Sequence, residues 1–364
     1  TWIVPLGPYV DEFEHRLDSF LGTGHAVALS AGTAAIHLGL TMAGVKAGDE
    51  VICQSMTFAA SCNPIVYLGA KPVFIDSEKE TWNLDPALLD EAIADRQRVT
   101  GKLPAAIVVV HLYGMPAKMD EILEIASRYG IPVVEDAAEA LGSEYKGRKC
   151  ATLGDFGVLS FNGNKIITTS GGGALVCGTE AEAARTRFLA TQAREDRPYY
   201  YHETIGYNYR LSNVSAAIGC AQIEELQARV ERRRRIHNLY KAGLGELSGV
   251  TVHDNPSSDI HSNFWLSTIL IDKEQTGKTP DEVRISLLDK GIETRLLWRP
   301  MNMQPIYADC PYYSAPKDAS STEETNGVGE WLFDRGLCLP SGSSLDDKEI
   351  EMVINALKEV LETK

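Results

Sequence analysis

The chain has 364 residues, a composition ordinary for a globular protein and a formal net charge of −15 at pH 7; that length can fill one large α/β unit or two smaller ones, and the acidic balance argues against nucleic acid as the main partner. Its seven cysteines (53, 62, 150, 177, 220, 310 and 338) are scattered singly, without a C-x-x-C pair, which fits reduced thiols in a cytoplasmic protein better than a disulfide frame or a zinc site. No apolar run nears the ~18 residues that would span a membrane, and residues 2–14 do not read as a signal peptide.

In chain order, Val10, Phe13, Leu17, Phe20 and Leu21 make one apolar stripe at helical spacing. Strand-like and helix-like stretches then alternate: strand 26–29, helix 33–43, strand 50–53, helix 59–68, strand 72–75, and a helix over 86–94 opened by Asp85 as cap and Pro86 at its first position. Residues 105–110, 131–135 and 157–160 read as short buried strands, with a helix over 119–129. This rhythm predicts an α/β fold with a mostly parallel central sheet covered on both faces. Residues 173–177 follow a tight Gly turn and read as antiparallel to their neighbour. A long helical region over 212–247 contains four consecutive arginines, 232–235, which read as a solvated face because the rest of the chain is acidic. The rhythm then changes. Strands at 251–252, 264–271 and 292–296 and helices at 280–289, 323–335 and 346–361 predict a smaller α+β C-terminal domain. The expected division is 1–240, a large domain with the N-terminal and long connecting helices, and 241–364. Residues 309–324 are the most loop-like segment.

Two strand ends carry the most pointed chemistry. Asp136 ends one apolar run, and Lys165 follows another in Ser160-Phe161-Asn162-Gly163-Asn164-Lys165, with Gly171, Gly172 and Gly173 just beyond. A helix cap and a solvated cation are the plain readings. Together, in a β-α chain, they are also what pyridoxal phosphate chemistry needs, a lysine to hold the aldehyde and an acid to keep the pyridine nitrogen protonated. A carboxylate ~3 Å from that nitrogen, at an effective dielectric of about 20, supplies roughly 5 kcal/mol, or about 4 pKa units before desolvation is subtracted. Ser30-Ala31-Gly32-Thr33 joins a strand to a helix, where unpaired amides and the helix dipole favour an anion such as a phosphate. No Walker motif and no G-x-G-x-x-G after a strand supports a nucleotide triphosphate or dinucleotide reading. Phe58 is either a core aromatic or a ring stacked on a cofactor. Asn208 and Arg210 either cap the helix after them or serve the site. His111, His202 and His261 lack metal-ligand spacing, so no metal is expected.

The joint pattern of Ser-Ala-Gly-Thr-Ala-Ala (30–35), Thr57-Phe58, Val-Glu-Asp-Ala-Ala-Glu-Ala-Leu-Gly (134–142), Ser-Phe-x₃-Lys (160–165), the Gly triplet and Gly-Tyr-Asn-Tyr-Arg (206–210) resembles the DegT/DnrJ/EryC1 sugar aminotransferases over essentially the whole chain. The resemblance implies the pyridoxal phosphate-dependent transferase fold type I, like aspartate aminotransferase. It implies a Schiff base on Lys165, Asp136 at the pyridine nitrogen, Phe58 over the ring, and Gly32, Thr33 and Ser160 at the phosphate. Glu139 stands near the cofactor where the family often has Gln. Ser-Gly-Gly-Gly (170–173) replaces the usual Gly-Glu-Gly-Gly. Asn208 is expected to reach the neighbouring subunit's cofactor, so the active unit would be a homodimer with active sites at the subunit interface.

Finer features, Phe-Asn-Gly-Asn-Lys (161–165), Trp298-Arg299-Pro300 and the residues up to Pro305, Gly-Leu-Cys-Leu-Pro-Ser-Gly-Ser (336–343) and Pro5-Leu6-Gly7-Pro8, resemble the UDP-4-amino-sugar transaminases of the bacillosamine and legionaminic acid routes. That likeness implies L-glutamate as donor, a UDP-2-acetamido-2,6-dideoxy-4-keto-hexose as acceptor and pyridoxamine phosphate between the half-reactions. Pro5, Leu6, Arg210, Arg295, Arg299 and Trp298 are the substrate-side candidates. The rivals are a C3 or dTDP-linked sugar aminotransferase, a sugar dehydratase, against which Lys165 argues, a desulfurase needing a mobile cysteine, and a non-catalytic regulator.

Overall fold

In the computed structural model, which describes residues 7–315 and 327–362, the β-α rhythm of the first half closes into one eight-stranded sheet. Its strands are β1 (Ala26–Leu29), β2 (Glu50–Gln54), β3 (Lys71–Ile75), β4 (Ala106–Val110), β5 (Val133–Asp136), β8 (Phe156–Ser160), β9 (Gly173–Cys177) and β14 (Tyr312–Tyr313), in the order β1-β9-β8-β5-β4-β2-β3-β14. Only β9 runs against its neighbours, pairing antiparallel with both β1 and β8. A small antiparallel sheet, β10 (Val250–Val252), β12 (Thr268–Ile271), β15 (Gly336–Cys338) and β13 (Arg295–Leu296), forms from the C-terminal part of the chain. A hairpin, β6 (Glu144–Tyr145) and β7 (Arg148–Lys149), pairs with β11 (Ile260–His261).

Period-2 alternation sorts the strand side chains into two cores, one on each face of the large sheet. Ile52, Ile107, Val109 and Val133 face the core that also receives Val10, Phe13, Leu17 and Leu21 of α1 (Pro8–Leu21). Val51, Cys53, Val108, Val134 and Val158 face the other core, with Ile36, Leu38 and Leu40 of α2 (Gly32–Met42) and Ile65 of α3 (Asn63–Tyr67). Burying a side chain such as Phe13 or Leu17 contributes roughly 1.5–3 kcal/mol, so these stripes hold the layers together. The first core also takes α4 (Pro86–Thr100) and α5 (Met119–Tyr129). Asp85 caps α4 by accepting from the amides of Ala87 and Leu88.

The structure departs from the sequence reading in four places. The 59–68 helix is a short 3-10 turn (Ala59–Ser61) followed by α3, because Pro64 removes a donor in mid-run. The 212–247 region is two helices, α7 (Asn213–Glu224) and α8 (Leu226–Leu244), reached after α6 (Glu180–Ala190). α7 buries Ala216 and Cys220 in the first core; α8 adds Leu226 and Val230 to that core and then buries Ile236, Tyr240 and Leu244 in a third core under the small sheet. Of 264–271 only β12 pairs as strand, since Phe264 takes φ +47. Within the loop-like 309–324, β14 adds to the large sheet parallel to β3; residues 316–326 lie outside the described residues.

The four arginines are not the solvated face expected of them. Arg232 and Arg235 pair with Asp347, Arg233 is buried and donates to the Trp265 carbonyl, and Arg234 donates to Ser262 O. They pin α8 to the small sheet's surroundings and to α12 (Asp347–Glu362), which follows the short α9 (Lys273–Thr276), α10 (Pro280–Asp289) and α11 (Val328–Arg335). Among the described residues no helix is long and apolar enough to cross a membrane.

Candidate active site

The C-terminal ends of the parallel strands and the beginning of α2 enclose a cavity of about 600 Å³. In open α/β sheets this is where ligands bind. Gly32, Thr33, Phe58, Asp136, Glu139, Ser160, Lys165, Arg295 and Trp298 all line it.

Asp136 is the last residue of β5 and is buried. Its Oδ2 accepts from Ser61 Oγ at 2.7 Å and its Oδ1 from the Ala138 amide at 3.2 Å. A carboxylate only accepts, so Ser61 donates to it, and Thr57 Oγ1, 2.7 Å from Ser61 Oγ, is the donor behind Ser61. Burial pushes the Asp136 carboxyl up; these bonds and the Lys165 charge oppose it. A positive ring nitrogen beside it would add to that opposition.

Lys165 approaches from the loop after β8. Its Nζ lies 3.3 Å from Glu139 Oε1 and 4.2 Å from the centre of the Trp265 ring. Trp265 Nε1 donates to the Asn164 carbonyl at 2.9 Å, which ties the lysine loop to the small-sheet side. Burial raises Glu139 to about 7, with Lys165 opposing.

At the start of α2, Ala31 is extended and offers no side-chain cap, so the first amides of the helix are free for an anion. A Cβ on Gly32 would stand 3.0 Å from Ser160 Cβ, and one on Gly173 would stand 2.5 Å from Gly32 N. Gly173 is therefore required by close approach of backbone and Gly32 is tightly placed, which brings the Ser160 hydroxyl to the helix start. Ser170, at the altered glycine motif, takes φ +71, and its amide donates to Thr168 Oγ1.

These residues fit pyridoxal phosphate: an anion cradle, a buried carboxylate at a strand end and a buried lysine meet in one cavity. Phe58 is 56 % exposed and its ring stands 5.5 Å from that of Trp298, so the two form an apolar ledge at the mouth. Arg295 lies on the rim, paired with Glu293.

Other candidates are placed elsewhere. Arg210 is not among the residues lining the cavity; its guanidinium binds the buried Glu14 carboxylate and Ala28 O. Asn208 is exposed and bridges Thr191. Arg299 is exposed and does not line the cavity. Pro5 and Leu6 lie outside the described residues. Ser61, Trp265 and the Tyr113 amide were missed. Ser61 has a faint signal, four residues after Thr57. Trp265 has none, because it sits in a stretch that reads as strand.

His111, Glu135 and Cys150 also come together, their ligand atoms within 4.8 Å of one another. Their bonds are already committed. His111 Nδ1 accepts from the Ala117 amide, which puts the ring proton on Nε2, 2.8 Å from Glu135. Glu135 further accepts from the amides of Ala151, Leu153 and Gly154.

The model of the DegT/DnrJ/EryC1/StrS aminotransferase family matches residues 1–358. The chain is 49 % identical to EpsN of Bacillus subtilis over 363 residues, covering 100 % of this chain and 90 % of that protein. It is 38 % identical to the GDP-perosamine synthase of Caulobacter vibrioides over 361 residues, covering 99 % and 92 %. Its fold matches the PLP form of Spr1654 from Streptococcus pneumoniae with a TM-score of 0.87 at 26 % identity, covering 99 % and 93 %.

Proposed function

Because the chain belongs to the DegT/DnrJ/EryC1/StrS aminotransferase family, a pyridoxal phosphate-dependent sugar transaminase of fold type I, we propose that it moves the amino group of L-glutamate to C4 of a UDP-2-acetamido-2,6-dideoxy-4-keto-hexose. The observation that carries the transaminase part of this reading is that the lysine and the two acids line one cavity; the UDP-linked 4-keto sugar rests on the likeness of the motifs alone. Lys165, Glu139 and Asp136 meet at its floor, and the Phe58–Trp298 ledge and Arg295 stand at its mouth. About 600 Å³ leaves room for a sugar above the cofactor. The motifs at 161–165, 298–305 and 336–343 support the UDP-linked acetamido sugar.

Bound pyridoxal phosphate supplies the electron sink that makes the donor's α-carbon acidic. In this reading Asp136, held by Ser61 and Ala138, keeps the ring nitrogen protonated. Gly32, Thr33 and Ser160 hold the phosphate, and Phe58 covers the ring. Lys165 Nζ takes the proton from Cα of glutamate in the first half-reaction and delivers one at C4 of the sugar in the second. The Phe58–Trp298 ledge excludes water above the reacting atoms.

The proposed active unit is a homodimer. Exposed Tyr200 and Ile205 stand on the same loop as Asn208, an apolar surface of the kind that a second subunit covers. From there Asn208 would serve the partner's phosphate.

A relative named GDP-perosamine synthase favours a second reading, a GDP-linked keto sugar. Absorbance of the cofactor-loaded enzyme separates the two. L-Glutamate should convert the band, and the UDP-acetamido-keto-hexose should restore it faster than its GDP-linked counterpart. The reverse order would move the assignment to GDP.

A further inference from the structure

We propose that Tyr113 is a positioning residue: it fixes Trp298, and with it the apolar wall against which the sugar acceptor packs. This rests on the reading of the space above Lys165 as the acceptor's place. Tyr113 is 2 % exposed and is not among the residues lining the cavity, so it acts through what it holds.

Tyr113 belongs to the turn that follows β4, at the edge of the large sheet's strand ends. From there it reaches both sides of the cavity. Its amide donates to Glu139 Oε2 at 2.7 Å, at the floor. Its hydroxyl accepts from the Trp298 amide at 2.9 Å, and the two rings stand 5.1 Å apart. The Cys338 side chain is the other hydrogen-bond partner of that hydroxyl. Its carbonyl accepts from the Leu266 amide at a longer 3.5 Å. Leu266 precedes β12, Trp298 follows β13 and Cys338 ends β15. One residue of the large sheet's side therefore meets three segments of the small sheet's side, and all three of those partners line the cavity. A phenol can do this because its oxygen accepts while its proton is donated. Phenylalanine would keep the ring contact and leave the Trp298 amide without that acceptor.

The backbone is clamped to hold this placement. Tyr113 takes φ +55 and Gly114 φ +93. A bulky residue rarely adopts the left-handed region and persists there where its surroundings over-determine it. Here the Gly114 carbonyl accepts from Ser143 Oγ at 2.6 Å and from Ser262 Oγ at 2.9 Å, and a Cβ on Gly114 would stand 2.0 Å from Asn263 Oδ1. Plain packing accounts for the ring; it does not account for a hydroxyl aimed at a main-chain amide beside the cavity mouth. Trp298 in turn stands 5.5 Å from Phe58 and 6.2 Å from Trp265, ring to ring. A shift of its backbone moves the apolar wall and not Lys165. Contacts of that kind hold substrate and transition state alike, so their loss raises KM more than it lowers kcat.

The test uses Y113F and W298A. In the cofactor-free protein, hydrogen exchange read by mass spectrometry should show the Trp298 amide exchanging about tenfold faster in Y113F. In the loaded enzyme, with L-glutamate saturating and the UDP-2-acetamido-2,6-dideoxy-4-keto-hexose varied, Y113F should raise the sugar's KM roughly tenfold, while kcat falls by less than about threefold. W298A should raise KM at least as much. The Y113F/W298A double variant should be no worse than W298A, because Tyr113 acts on the sugar through the indole ring. General damage to the fold would lower kcat along with the rise in KM and would add to the effect of W298A. Unchanged exchange at Trp298, a kcat loss as large as the KM rise, or additive effects in the double variant overturns the assignment. The exchange arm needs neither cofactor nor sugar, so it judges Tyr113 separately from the acceptor reading. Should the enzyme accept only the GDP-linked sugar, that reading falls, and the same KM comparison on the GDP-linked sugar decides the role of Tyr113.

Discussion

Glu135 and Glu139 sit four residues apart and are both buried, yet they are opposite kinds of acid. Burial works to raise Glu135, but the His111 bond and the amides around it outweigh burial and hold its carboxyl below the ordinary range. Glu139 meets the same desolvation with one amide and one lysine, and stays near 7. Burial alone therefore does not decide protonation; the number of donors aimed at the carboxylate does. The first acid is a structural anchor under the strand end, and the second faces Lys165 Nζ in the cavity.

The contrast can be broken most severely at its reactive end. Lys165→Ala should lower amino transfer on the order of 10⁴-fold, read by coupled assay, and the cofactor should dialyse away; a variant that still transfers amino groups would remove the premise of the site. At the structural end, Glu135→Ala strips the acceptor from three amides and His111. We expect a loss of about 3–5 kcal/mol in urea unfolding, with Glu135→Gln intermediate.

Acidity itself separates the two residues by sign. The Glu139 carboxyl is raised from the ordinary 4.5 to about 7, so its share of stability is full below pH 4.5 and is lost as pH rises to about 7. The loss amounts to about 3 kcal/mol. The Tm of the cofactor-free protein should thus fall with pH relative to E139Q across that window. Glu135, held below its ordinary value, acts oppositely: its share is present above about pH 4.5 and is lost as pH falls through its folded value. Parallel slopes for wild type and E139Q would contradict this account. The smallest effect should come from Ser61→Ala, which removes one bond to a charged acceptor, worth about 1.5 kcal/mol, and should loosen cofactor binding roughly tenfold in equilibrium dialysis.

Much of the fold was legible because its signals are local. The strand runs alternate between two cores as their spacing requires, and Asp85 and Pro86 open α4 in place. Asp136, Gly32, Thr33 and Ser160 could be picked out together because each ends a strand or begins a helix, with Lys165 in the loop just after β8, and the topology of a parallel sheet gathers those ends at one edge. Tyr312–Tyr313 was unreadable as a strand because two residues carry no period, and only the open edge of β3 makes them one.

The sequence by itself determined the β-α rhythm and the family, since these follow from residue spacing and from motifs a few residues long. Which cations serve the cavity was decided only in three dimensions. Arg210 turned to Glu14, Arg232 and Arg235 turned to Asp347, and Arg295 stayed on the rim. A long charged side chain takes the nearest buried or partly buried anion, and that anion is 100 or more residues away for the first three. The difference between Glu135 and Glu139 belongs to the same class, because it depends on amides and a lysine that the fold, and not the local sequence, delivers to each carboxylate.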